Sequence, residues 1–104
     1  MIRYYVLDDS GEAVEATEEV SHLWMCERIS SDFNPGVLVE EFDNPGCGCA
    51  MLWFTGVHDE DAGTEPFLVS FRYKNRMSFS QWKSHEGFAY FRHRNDAIAH
   101  AQKI

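Results

Sequence analysis

The sequence predicts an α+β fold: a single small domain over residues 1–104, mainly an antiparallel sheet of about five or six strands, with one packed helix and a short C-terminal helix. Three observations predict it. Short apolar runs with a period of two recur early, in the middle and late in the chain. One stretch, residues 18–30, instead follows helical spacing behind a capping residue. Clusters of Asp, Asn, Pro and Gly punctuate the runs.

Each element has a local reason. Residues 2–7 form a strand with Ile2, Tyr4 and Val6 on one face. Asp8-Asp9-Ser10-Gly11 is turn chemistry, because Gly11 tolerates positive φ and the short acids favour Asx turns. A short strand over 12–16 then completes a hairpin. Thr17 is an N-cap, with Glu18 and Glu19 in the first turn, where the helix dipole favours negative charge. Val20, Leu23 and Trp24 give that helix its apolar spacing, and Asn34-Pro35-Gly36 closes the following loop. A strand over 37–42 stops at Asp43-Asn44-Pro45-Gly46. Residues 49–57 are apolar on both faces, the pattern of a central, doubly covered strand.

The second half begins with an acidic loop over 58–65. Residues 67–73 alternate cleanly, with Phe67, Val69, Phe71 and Tyr73 opposed to Ser70 and Arg72. Lys74-Asn75-Arg76 is a turn, and Phe79, Trp82 and Lys83 after a Ser80 cap suit one or two helical turns before Gly87 breaks them. A last strand spans 88–93, and Asn95 caps a terminal helix carrying Ala97, Ile98 and Ala101.

Charge is sorted along the chain. Up to Pro66, fifteen acids oppose two cations, Arg3 and Arg28. From Phe67 onward seven cations oppose Glu86 and Asp96, so segments of −13 and +5 make the net −8. Such asymmetry suits a surface that meets a charged partner. The hydrophobic fraction of 44 %, with eight Phe, four Tyr and three Trp, is enough to fill a core. No apolar run approaches the roughly 18 residues needed to cross a bilayer, and the opening residues turn acidic at once, without a signal-type apolar stretch. Three cysteines cannot pair fully within the chain, which fits reduced thiols and a cytosolic setting.

Several stretches, in order, resemble a group of small uncharacterised proteins encoded by bacteriophages and phage-bearing bacteria. They are the opening Arg3-Tyr4-Tyr5-Val6-Leu7-Asp8-Asp9-Ser10-Gly11-Glu12-Ala13-Val14, then Leu23-Trp24, then Met51-Leu52-Trp53-Phe54-Thr55-Gly56-Val57-His58. Glu65-Pro66-Phe67-Leu68-Val69-Ser70-Phe71 and Asn95-Asp96-Ala97-Ile98-Ala99-His100 complete the set. The chain departs from the group at Val57-His58, where an acid before the histidine is usual, and between Lys74 and Gly87. The resemblance implies a phage setting, with the host cytosol as location, and a fold rather than a reaction.

Motifs for catalysis are weak. His22 and Cys26, four apart on a helix, with Cys47 and Cys49, make a tetrahedral zinc set by residue type. Cys47-Gly48-Cys49 leaves one residue between thiols where zinc turns leave two to four. The expectation is therefore no metal, with Cys26 buried, Cys47 half-exposed and Cys49 in the core. A thiol nucleophile at Cys47 would sit behind Glu40, Glu41 and Asp43, which raise a thiol pKa. The carboxylates of residues 58–65 lack the alternating ligands and final Glu of a calcium loop. No catalytic residue and no cofactor are expected.

The rear segment interleaves aromatics and cations in Phe71-Arg72-Tyr73-Lys74-Asn75-Arg76 and Tyr90-Phe91-Arg92-His93-Arg94, a composition able to stack bases. The acidic majority disfavours a polyanion. The expectation is instead a stoichiometric binder of a host protein with a basic surface, inhibiting a nucleic-acid-handling or defence complex in the manner of an anti-CRISPR protein. Its contacts would be Asp59, Glu60, Asp61 and Glu65, with Glu40, Glu41 and Asp43. The alternatives are a self-assembling phage accessory protein that forms a homodimer, and a small zinc- or nucleic-acid-binding protein; no membrane association is expected.

Overall fold

The computed structural model describes residues 1–29, 36–44, 48–72 and 87–103. Within them the chain runs β1 (Ile2–Leu7), β2 (Ala13–Ala16), α1 (Glu18–Arg28), β3 (Val37–Asn44), β4 (Gly48–Phe54), β5 (Val57–Asp59), β6 (Phe67–Arg72), β7 (Gly87–Phe91) and α2 (Arg94–Gln102). The α+β class, the antiparallel pairing, the packed helix and the short terminal helix are as expected. The described strands number seven and divide into two sheets, ordered β2-β1-β5 and β3-β4-β6-β7. The expected turn at Lys74 and helical turns over 77–86 lie outside the described residues.

The division arises inside the apolar run over 49–57. β4 pairs with β3 and β6 as a central strand, with Leu52 opposite Glu40 on one side and Val69 on the other. At Gly56, whose φ is +75°, the chain leaves that sheet and continues as β5 against β1. Gly56 is buried, and its carbonyl accepts from Tyr5 N–H at 2.8 Å. A Cβ there would stand 3.2 Å from Met25 Sδ and 3.4 Å from Ser21 Oγ, in a backbone region that L-residues adopt at a cost. Thr55 ties the corner from its other side: its hydroxyl donates to Glu65 O at 2.8 Å, and its N–H to Pro66 O at 2.7 Å.

The hairpin and helix before it form as the local signals dictate. Asp8 Oδ1 accepts from Ser10 N–H, Ser10 Oγ and Glu12 N–H at 2.9, 2.7 and 2.9 Å, while Gly11 takes φ +85°. Thr17 Oγ1 accepts from Val20 N–H at 3.2 Å, which satisfies one of the orphan donors of α1. The helix stops at Arg28, two residues short of expectation. At the other end of the chain, α2 begins at Arg94 with His93 as its N-cap and no capping side chain, so Asn95 lies inside the first turn.

The inner face of the four-stranded sheet supplies most of the core. Its cross-strand rows are Val37–Phe54–Phe67–Phe91 and Leu52–Val69–Ala89. Phe54, Phe67, Leu52 and Val69 are all fully buried. Trp24 from α1 meets Phe54 edge-on at 5.3 Å, and Phe54 meets Phe67 at 5.6 Å. α2 lies against β4, β6 and β7 through Ala97 and Ala101, whose small side chains let it approach closely.

Two faces differ from the sequence pattern. In β1 it is Tyr5 that is buried, while Ile2 is 48 % exposed. In α1 the inward face is Ser21, Trp24 and Met25, and Val20 and Leu23 are more than half exposed. Ser21 is inside because its hydroxyl donates to Tyr5 O at 2.7 Å, so the polar group enters the core with its partner.

Gly56→Ala is therefore expected to destabilise the fold by about 1–2 kcal/mol from backbone strain alone. Ser21→Ala should cost about 1 kcal/mol for the lost hydrogen bond. Both are read from the urea midpoint at unchanged m-value.

Candidate functional site

The expected contact acids fall into two groups on different sheets. Asp59, Glu60, Asp61 and Glu65 lie together on one tight hairpin. β5 ends at Asp59, which forms a bridge with Thr64, and the two exchange backbone hydrogen bonds of 2.8 and 3.0 Å. Asp59 Oδ1 turns back to accept from Asp61 N–H at 3.1 Å and Ala62 N–H at 3.4 Å, and Gly63 takes φ +70° to close the loop. Asp59 is thus a structural cap, an Asx arrangement that its position before a Gly-containing turn permits. The residues it presents, Glu60 and Asp61, are exposed, and Glu65 is half-buried.

A concavity of about 240 Å³ lies on this hairpin, lined by His58, Asp59, Glu60, Gly63, Thr64 and Glu65. Beside it, His58 Nδ1 is buried without a hydrogen-bond partner. The hairpin is anchored at its base by Thr55, whose hydroxyl holds Glu65 O, so the acids ride on a fixed support. Sequence reasoning missed Thr55; a hydroxyl beside a glycine at the end of an apolar run was the available signal.

The second group lies on β3, an edge of the four-stranded sheet. Successive strand residues ordinarily face opposite sides. Here the register shifts between Leu38 and Glu40; Val39 packs toward the core, and Glu40 and Glu41 are both exposed. A bulge thus puts adjacent carboxylates in water together. Asp43 lies further along β3, opposite Cys49. Val37, at the start of β3, pairs with Phe54 at the end from which the acidic hairpin springs, so Glu40 is three residues, roughly 10 Å, along the strand from that end.

The rear cations are partly spent on the acidic front. Arg92 lies over the Tyr5 ring at 4.5 Å. Arg94 Nη1 donates to Ser10 O at 3.3 Å, on the Asp8 turn. Both belong to the aromatic–cation stretch that resembled a base-stacking surface, and each packs on the protein instead. Of the other stretch, residues 73–76 lie outside the described residues.

Two residues of the zinc set stand together among the described residues. His22 Nε2 and Cys26 Sγ stand 3.5 Å apart, as their helical spacing requires. Cys26, expected to be buried, is exposed because it lies on the outer face of α1, and Cys49, expected in the core, is half-buried. Cys47 lies outside the described residues. Among the described residues no three His, Cys, Asp or Glu side chains are grouped to hold a metal ion. Nor, among these residues, is any helix long and apolar enough to cross a membrane.

No family model, curated protein or solved structure matches the chain.

One acid outside these groups has a perturbed titration. The Ser10 hydroxyl, followed by the Glu12 N–H, holds Asp8 below its ordinary 3.8, against an opposing effect of desolvation. A depressed folded pKa contributes stability above the unfolded value and loses it as pH falls through the folded one. The stability difference between the native chain and Asp8→Asn should accordingly be present at neutral pH and be lost as the pH falls below the ordinary 3.8 through the depressed folded value, followed by urea unfolding from neutral pH into the acid range.

Proposed function

We propose that this protein acts by stoichiometric binding to a protein with a basic surface, through the acidic hairpin of residues 58–65 with the Glu40–Glu41 edge as an auxiliary contact. The observation that carries this is the construction of the hairpin. Its Asp59 carboxylate is committed to the turn, so Glu60 and Asp61 are displayed outward on a preordered loop. A preordered acidic loop loses little conformational entropy on docking, and its field accelerates encounter with a cationic groove. Carboxylates held in this way occupy sites that otherwise take phosphate oxygens, since both accept from Arg in a forked geometry.

The setting in this reading is taken from the sequence resemblance to small phage-encoded proteins, and on it the partner would belong to a host cell. A nucleic-acid-handling or defence complex has the required basic groove, and blocking it would be inhibition of the anti-CRISPR kind. Binding of nucleic acid itself is disfavoured, because Arg92 and Arg94 are engaged by the protein and the net charge of −8 repels a polyanion.

The test separates docking from folding. Glu60→Lys with Asp61→Lys reverses exposed charges and leaves the Asp59 cap in place. Affinity for the captured host protein should fall by at least about 100-fold with an unchanged melting temperature. Capture that survives the reversal at native affinity would remove the hairpin from the contact.

A further inference from the structure

His22 and Cys26 lie on the outer face of α1, and both are exposed. The inward face of the helix is Ser21, Trp24 and Met25, so the pair stands apart from the core-facing side chains. Their separation is the informative quantity. A zinc ion held tetrahedrally by an imidazole nitrogen at about 2.05 Å and a thiolate at about 2.3 Å sets those two atoms roughly 3.6 Å apart. Nε2 of His22 and Sγ of Cys26 stand at 3.5 Å. α1 thus holds two ligand atoms at the spacing of one edge of the tetrahedron, and small side-chain rotations suffice to turn both onto one ion.

The charge around the pair suits a cation. Glu18 lies one turn before His22, and Glu18, Glu19 and His22 line one concavity. Cys26 lies in the last turn of α1, where the helix dipole favours positive charge. Arg28, the one cation of this helix, is already engaged: it donates to Trp24 O at 3.0 Å and to Glu27 Oε2 at 3.4 Å, and it lies over the Trp24 ring at 4.1 Å. On the side facing β1 and β5, His22 shares a cavity with Tyr4, Thr55 and Val57, none of them charged. Cys49 takes no part, since among the described residues no three His, Cys, Asp or Glu side chains are grouped to hold a metal ion.

We infer that His22 and Cys26 form a two-residue chelate for a divalent ion of the zinc class, with Nε2 and the Sγ thiolate in two tetrahedral positions and water in the other two. Binding displaces the thiol proton to solvent, and no electron is transferred. The site has half the protein ligands of a structural zinc centre, so a dissociation constant of about 1–100 µM is expected. An ion held across one turn cross-links α1, so it binds the folded helix in preference to the unfolded chain.

Titration of the full chain with zinc chloride, under a phosphine reductant, should show one ion per chain in that range and release of about one proton. Cobalt(II), a coloured stand-in for zinc, should give a thiolate-to-metal charge-transfer band. His22→Ala and Cys26→Ser should each weaken zinc binding at least about tenfold, with an unchanged far-UV spectrum because both positions are exposed. Cys26→His keeps a chelating pair at the same helical spacing and should restore zinc binding without the band. Cys47→Ser and Cys49→Ser should leave affinity and band intact. The proposal would be overturned by no binding below about 1 mM, by native affinity in Cys26→Ser, by a Cys26→His chain no tighter than Cys26→Ser, or by loss of binding in Cys47→Ser or Cys49→Ser.

Discussion

Everything in this fold is arranged around the corner at Gly56. A single apolar run must serve as the central strand of one sheet and then as an edge strand of another. The positive φ of Gly56 is what lets the chain change partners without an intervening loop. The corner is buried, so its polar groups need partners, and they find them in elements distant in sequence. Tyr5 N–H reaches Gly56 O, and Ser21 Oγ reaches Tyr5 O, which links β5, β1 and α1 in one chain of hydrogen bonds. Fully satisfied networks of this kind specify a unique arrangement because any alternative leaves a buried group unpaired. The inward face of α1 follows from that network: Ser21 points to Tyr5, so Leu23, two residues away, faces water.

The same corner positions the acidic hairpin. Thr55 holds Glu65 O on one side while β5 is held by β1 on the other, so the loop leaves the body of the protein between two fixed strands. A short turn with an internal carboxylate cap then displays Glu60 and Asp61. Charge that is dense in the sequence becomes in this way charge that is organised in space. The rear cations have a different fate, since Arg92 and Arg94 cross to the Asp8 hairpin and pack on it. The separation of charge along the chain is consequently softened where the terminal helix meets the first hairpin, and it survives at the β5 hairpin and along β3.

Much of the secondary structure was legible. The Asp8–Gly11 turn, the Thr17 cap, the alternation of Phe67, Val69 and Phe71 and the terminal helix with Ala97 and Ala101 all rest on interactions within a few residues. The candidate contact acids were legible as types and as loop or edge positions, but their division between two sheets was not. Nor was the role of Asp59, whose carboxylate looks the same in a sequence whether it caps a turn or faces a partner. The burial of Tyr5 and Ser21 was not legible because apolar spacing treats a strand or helix as having one hydrophobic face, and a serine with a committed acceptor breaks that rule.

What the sequence by itself determined is the α+β class, the order of most elements and the concentration of acids in turns. These depend on capping, turn chemistry and side-chain periodicity, which are local. Only the tertiary structure decided that there are two sheets, which face of α1 is inside and which cations are already engaged. Each of those is a pairing between residues far apart in the chain, chosen by how the buried polar groups at Gly56, Tyr5 and Ser21 can all be satisfied at once, and no short window of sequence contains that choice.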